Sequence, residues 1–192
     1  GEKWIQYHDA EQRIYAGASY AHNTVTVDET SQMRGNLLTG ERTPRINIFV
    51  DLPAGQVVEA HGDKIYEQTS IYRRLICQFD EYLLDIFRVQ GGDVHDWFYH
   101  GVGEEPVVSL PMETKPGFEP ALYVVRGKEE YKSGAADETF SATWRILADP
   151  SGEFSGRRRH VHSRVTMAGA PGQTAFVLNT SPTHGQHCLM VR

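Results

Sequence analysis

The hydrophobic positions of this chain recur with a period of two. Thr24-Val25-Thr26-Val27 alternates, and so does Ile46-Asn47-Ile48-Phe49-Val50. Such alternation marks half-buried strands, because successive side chains point to opposite faces. Gln56 to Ala60 reads as a further short strand. Two strong runs, Tyr72 to Phe79 and Tyr82 to Val89, are separated by Asp80-Glu81 and predict a hairpin, although Asp-Glu is a weaker turn signal than Asn-Gly. More strands are expected over Asp96 to His100, Ala121 to Val125, Thr139 to Leu147, His160 to Met167, Thr174 to Leu178 and Cys188 to Val191. Turn residues punctuate these runs, as in Pro53-Ala54-Gly55, Gly91-Gly92, Pro116-Gly117, Asp149-Pro150-Ser151-Gly152 and Pro171-Gly172. No segment of about twelve residues carries a clean apolar period of 3.6. The pattern predicts an all-β fold, an antiparallel β-sandwich of roughly ten or more strands, with a barrel as the other all-β option. No linker, repeat or low-complexity segment interrupts it, so residues 1–192 read as a single domain.

Composition narrows the function classes. The chain is 40% hydrophobic and 23% charged, ordinary globular values. It is long enough to bury about 70% of its unfolded surface, so no staple is needed merely to fold. Nineteen Lys and Arg against 25 Asp and Glu give a net charge of −6, which argues against a nucleic-acid partner. The one basic run, Arg157-Arg158-Arg159, reads as a solvated strand edge. The only cysteines, Cys77 and Cys188, are too few for a disulfide framework. Cys77 reads as a buried small hydrophobe, and a bond to Cys188 stays open. No stretch approaches 18 apolar residues, so no membrane span is expected. The chain shows no leader and opens directly into Trp4-Ile5-Gln6-Tyr7, in the manner of a fragment of a longer protein.

Histidine, with nine copies, is the informative residue type. His22 stands at the mouth of a strand, either as a hydrogen-bonded strand-end residue, which spacing favours, or as a metal ligand. In His95-Asp96-Trp97-Phe98-Tyr99-His100, alternation puts His95, Trp97 and Tyr99 on one face and Asp96, Phe98 and His100 on the other. His95 and His100 therefore cannot share a metal without a bulge, and Asp96 and His100 stand about 13 Å apart along an extended chain. A structural role is favoured for this segment. His160 and His162 form a His-x-His pair of a kind that can hold zinc, but no third ligand follows and Arg157, Arg158, Arg159 and Arg164 would repel a cation. His184 and His187 read as solvated loop residues, with a loose metal site as the alternative. There is no paired-carboxylate site, Gly-x-Ser-x-Gly elbow, phosphate-binding glycine loop or Cys-x-x-Cys pair.

Two stretches together resemble a known family. Tyr20-Ala21-His22-Asn23-Thr24-Val25-Thr26-Val27-Asp28, followed by Ser31-Gln32, is similar to a His-Asn segment of the heparinase II/III-like polysaccharide lyases. Tyr82 to Val89, Gly91-Gly92 and His95 to Gly101 resemble a second segment of the same family in the same order, so the likeness spans roughly residues 5 to 101. It implies a two-part enzyme, an N-terminal helical toroid domain packed on β-sheet domains. The substrate would be an acidic polysaccharide such as heparin, heparan sulfate or alginate. It would be cleaved by β-elimination: a base removes the C5 proton, the carboxylate is neutralised, and a Tyr or His protonates the leaving oxygen. The main catalysts would lie upstream of residue 1, and this chain alone would be inactive.

The resemblance also assigns residues. His22 matches a histidine that helps hold a structural zinc, whose His and Asp partners would also lie upstream. Zinc is thus implied for the intact enzyme, and tight binding by this chain alone is not expected. Tyr7, near His8 and Tyr15, is the candidate catalytic tyrosine, with core or interface packing the simpler reading. Asp85 and Arg88 lie on opposite strand faces and read as scaffold. A periplasmic or extracellular location follows from the resemblance only. The alternative function is a non-catalytic carbohydrate-binding or structural β-sandwich module, with Trp97 or Trp144 as the sugar platform. A metal-dependent barrel enzyme using His160 and His162 is a weaker third option.

Overall fold

The computed structural model describes residues 14–32, 43–101, 103–118, 130–146, 161–179 and 187–192. Among them the fold is all-β, as the alternation predicts. Thirteen strands make three antiparallel sheets, beside a helical turn at residues 14–16 and a 3-10 turn at Ser19–Ala21. The run at Ala121 to Val125, the Arg157 to Arg159 run and Tyr7 lie outside the described residues.

The largest sheet has six strands in the order β1 (Val25–Val27), β6 (His95–His100), β13 (His187–Val191), β12 (Thr174–Asn179), β9 (Tyr131–Ala135) and β8 (Glu113–Lys115). A three-stranded sheet is ordered β11 (Val161–Met167), β10 (Phe140–Ile146), β7 (Val107–Val108). The third is a four-stranded meander of β2 (Arg45–Leu52), β3 (Gly55–His61), β4 (Ile71–Gln78) and β5 (Leu83–Gln90). The β4–β5 hairpin runs in register from Ile71↔Gln90 to Gln78↔Leu83, and the Phe79 N–H donates to the Tyr82 carbonyl across Asp80-Glu81. Strands β7, β8 and β9 were not legible in the pattern. The first two are only two and three residues long, and Tyr-Lys-Ser-Gly-Ala has little alternation.

Alternation along β6 divides the core. Phe98 joins Leu178, Cys188 and Met190 on one face, covered by Ala18 and Tyr20. On the opposite face Trp97 and Tyr99 pack with Ala175, Leu189 and Val191 against Phe140, Ala142 and Trp144 of β10. This second layer is the sandwich. Trp144 is fully buried, and its indole N–H donates to the His187 carbonyl at 3.4 Å. Gly101 must lack a side chain, because a Cβ there would collide with the Trp144 indole. A third cluster joins Val25 and Val27 to Ile65, Tyr66 and Tyr72 and so ties the base of the meander to the large sheet.

Two sequence expectations are corrected here. Strand β2 was read as half-buried from its alternation, yet every residue in it is exposed, with Ile46 at 67% and Phe49 at 70%. Alternation tells which residues share a face; a covering layer decides whether that face is dry. Cys77 was read as a buried hydrophobe but is only half-buried on the meander, while Cys188 is buried in the large sheet. No disulfide joins them.

Candidate functional site

The His-Asn segment and strand β6 are the two stretches that carry the resemblance, and the fold makes them neighbours. Strand β1 pairs with β6 in the register Val25↔Trp97, Thr26↔Asp96, Val27↔His95. The pairing is locked at both ends by side chains. At one end the Asn23 amide oxygen accepts the His100 N–H at 2.6 Å. At the other, the Asp28 carboxylate accepts the N–H groups of Asp93 and Val94 at 2.7 and 2.9 Å, and the Gln68 side-chain amide at 2.8 Å. The backbone donors of Val94 and Asp93 hold the Asp28 carboxyl below its ordinary pKa. Asp28 and Glu29 have φ of 50° and 58°, a left-handed pair that turns the chain back after β1. Opposite them Gly92 has φ of 80°, and a Cβ there would land on the Val27 side chain, so the Gly91-Gly92 turn is shaped to receive β1.

The same segment is tied down from beneath. The Ser19 N–H donates to the Ser31 hydroxyl at 2.9 Å, and the Gln32 N–H to the Ser19 hydroxyl at 2.8 Å. The Tyr72 hydroxyl donates to the Val25 carbonyl at 2.6 Å and lies 2.9 Å from the Thr24 hydroxyl and 3.1 Å from the Gln32 amide nitrogen, both of which donate to it. The Tyr66 hydroxyl reaches the same carbonyl at 3.3 Å. Burial pushes both phenols above their ordinary pKa, most strongly Tyr66. These tyrosines stay protonated and serve as donors, not bases. Sequence reasoning missed them, since nothing in the alternation of β4 reveals that Tyr72 ends beneath residue 25.

A second polar centre was also missed. Asp96 is fully buried and takes a two-pronged contact from Arg192, whose Nε and Nη2 lie 2.6 and 2.7 Å from its oxygens. The same guanidinium reaches Glu29 at 2.7 Å. Hydrogen bonding to Asp96, ahead of the other causes, raises the Arg192 pKa above its ordinary value. Asp96 and His100 share a face of β6, as alternation predicts, but are not brought together. His100 instead donates from Nε2 to the Tyr20 carbonyl at 2.8 Å, and burial lowers its pKa. His95 is exposed and donates to the Gly91 carbonyl at 2.9 Å.

No family model, curated protein or solved structure matches the chain.

His22 is exposed, and its Nε2 donates to the Ala16 carbonyl at 2.9 Å, which leaves Nδ1 as the acceptor nitrogen of the neutral ring. Among the described residues, no three His, Cys, Asp or Glu side chains come together as metal ligands. These residues do not complete the zinc site that the resemblance implies. His162 is an exposed residue of β11, while His8, His160 and His184 lie outside the described residues. His187 was read as a loop residue but begins strand β13, with Nε2 3.9 Å from Glu105. Asp85, read as scaffold, receives Arg74 Nε and Nη2 at 2.9 and 2.8 Å, with that guanidinium 4.7 Å from the Phe87 ring centre. The proposed sugar platform loses both members. Trp144 has no exposed surface, and Trp97 is half-buried, stacked on Tyr99 at 5.8 Å within the core. Among the described residues, no helix is long and apolar enough to cross a membrane.

Proposed function

We propose that this chain is the β-sheet part of a heparinase II/III-like lyase that cleaves uronate-containing polysaccharides by β-elimination. What supports this reading is the mutual locking of the two motifs. Asn23 holds one end of β6 and Asp28 the other, although 77 and 65 residues separate Asn23 from His100 and Asp28 from Asp93. Side chains spent on each other at that separation explain why both stretches would be needed in a single scaffold. Tyr66, Tyr72, His22, His95 and His100 are engaged in hydrogen bonds to backbone carbonyls, and Tyr66 and Tyr72 are held protonated. That suits a buttressing role, with the C5 base and the proton donor supplied by a helical domain. Zinc, where the intact enzyme holds it, would draw one imidazole from His22 and its other ligands from outside the described residues.

The test is an elimination assay that follows the ultraviolet absorbance of newly formed unsaturated uronate. The chain alone and the product of its whole reading frame would be run on heparan sulfate, hyaluronan and alginate. Activity in the longer product and none in the chain supports the reading. Silence in both overturns the lyase assignment and leaves the non-catalytic glycan-binding module.

A further inference from the structure

Strand register places four basic residues in one row across the base of the meander. Arg45 pairs with His61, His61 with Arg73, and Arg73 with Arg88. Directly paired residues of antiparallel strands project from the same face. The row therefore crosses all four strands on one side of the sheet, in a chain whose net charge is −6. Neighbouring strands are about 4.8 Å apart, so three spacings carry the row across roughly 14 Å.

Like charges set directly opposite one another are destabilising, and this row is poorly compensated. Its one ion pair among the described residues is Arg73 with Asp63 at 3.6 Å, between side chains 40% and 28% exposed, a weak contact in water. Glu59, next along the face on β3, is engaged by the Asn47 side-chain amide at 2.7 Å. Arg45 and Arg88 are exposed and form no ion pair among the described residues. Arg73 Nε and His61 Nδ1 lack hydrogen-bond partners there. Beyond the basic row the same face continues with Ile48, Leu75 and Ile86, then Val50, Val57, Cys77 and Leu84.

We propose that the row Arg45–His61–Arg73–Arg88 is a binding track for a segment of acidic polysaccharide, its carboxylates or sulfates meeting the guanidinium heads in turn. The assignment rests on the reading under Proposed function, and it deepens that reading by naming where this chain meets the substrate. A row one residue wide suits a thin linear polyanion with its charges spaced along one edge. The two apolar rows beside it carry no aromatic ring, and the face ends in the Phe79–Tyr82 ring pair with centroids 4.7 Å apart; what argues against a nucleic acid is the chain's net charge of −6. Arginine suits the role, because its planar fork takes a carboxylate or sulfate with two parallel hydrogen bonds.

The test is calorimetric titration of the 192-residue chain with a size-defined oligouronate and a heparan sulfate oligosaccharide, with a neutral dextran oligomer as control. The double variant Arg45→Gln, Arg88→Gln removes two exposed heads, and Arg164→Gln, which removes an exposed arginine from β11 of the three-stranded sheet, serves as the off-site control. The expected result is binding that weakens as salt rises. The double variant should weaken it at least tenfold and Arg164→Gln less than twofold, with the melting temperature of neither variant lowered. Three results each overturn the track: no binding to either acidic oligosaccharide, binding untouched by the double variant, or equal binding of poly-glutamate with the same loss in the double variant. The last would assign the row to an acidic protein partner. These failures are separable from failure of the lyase reading, which the elimination assay on the whole reading frame reads independently.

Discussion

Removing the cation that faces Asp96 should cost more than removing the carboxylate. Asp96 has no solvent exposure and receives Arg192 through two contacts of 2.6 and 2.7 Å, while the Arg192 side chain is 34% exposed and also holds Glu29. In Arg192→Met the buried carboxylate loses its cation. Breaking a buried pair in this way costs about 3–5 kcal/mol, and the partial exposure of Arg192 sets the expectation near the low end, about 3 kcal/mol. In Asp96→Asn one oxygen still accepts, and the guanidinium keeps Glu29 and turns toward water, so the loss should be about 1–2 kcal/mol. A loss of about 3 kcal/mol shifts the folding equilibrium by roughly a hundredfold, a large part of a typical domain's stability. Urea unfolding at pH 7, followed by the fluorescence of the core tryptophans, gives both numbers from the midpoint if the slope is unchanged. Two results would refute the reasoning: Arg192→Met costing less than Asp96→Asn, or both costing under about 0.5 kcal/mol.

Three further predictions concern the locked motifs. Asp28→Asn should destabilise the chain in a pH-dependent way. The folded pKa of Asp28 is lowered, so its contribution is complete above the unfolded value and is lost as pH falls through the folded one. The gap between wild type and variant, measured by urea midpoints, should be widest at neutral pH and close below about pH 4; a constant gap would place the effect elsewhere than in the carboxylate charge. Tyr72→Phe should cost about 1–3 kcal/mol in the same assay, because the Val25 carbonyl and the Thr24 and Gln32 donors lose a buried partner. The His100 ring, followed by proton NMR, should titrate below about 6.5, since burial disfavours its charged form. Its stabilising effect is full above that value and declines as pH falls through the lower folded one; a midpoint at or above 6.5 would show the ring to be solvated.

Some of this architecture was written in the chain itself. Period-two alternation requires strands, since side chains project alternately whatever the strand packs against. That local rule sufficed for the all-β class, for the β4–β5 hairpin about Asp80-Glu81, and for the division of β6 into a Phe98 face and a Trp97–Tyr99 face. The His-Asn and Gly-Gly stretches could likewise be singled out from their residues.

What they do to each other could not. The Asp28 carboxylate capping Asp93 and Val94, Tyr72 beneath Val25, and Arg192 on Asp96 each join residues more than 45 positions apart. Burial was equally beyond reach. The alternating apolar residues of β2 stay exposed while Trp144, offered as a surface platform, lies fully enclosed. The row of Arg45, His61, Arg73 and Arg88 is scattered over 43 positions and has no spacing signature, because register across four strands alone aligns it. Local pattern determines which way a side chain points, and only the packed chain decides what stands opposite it.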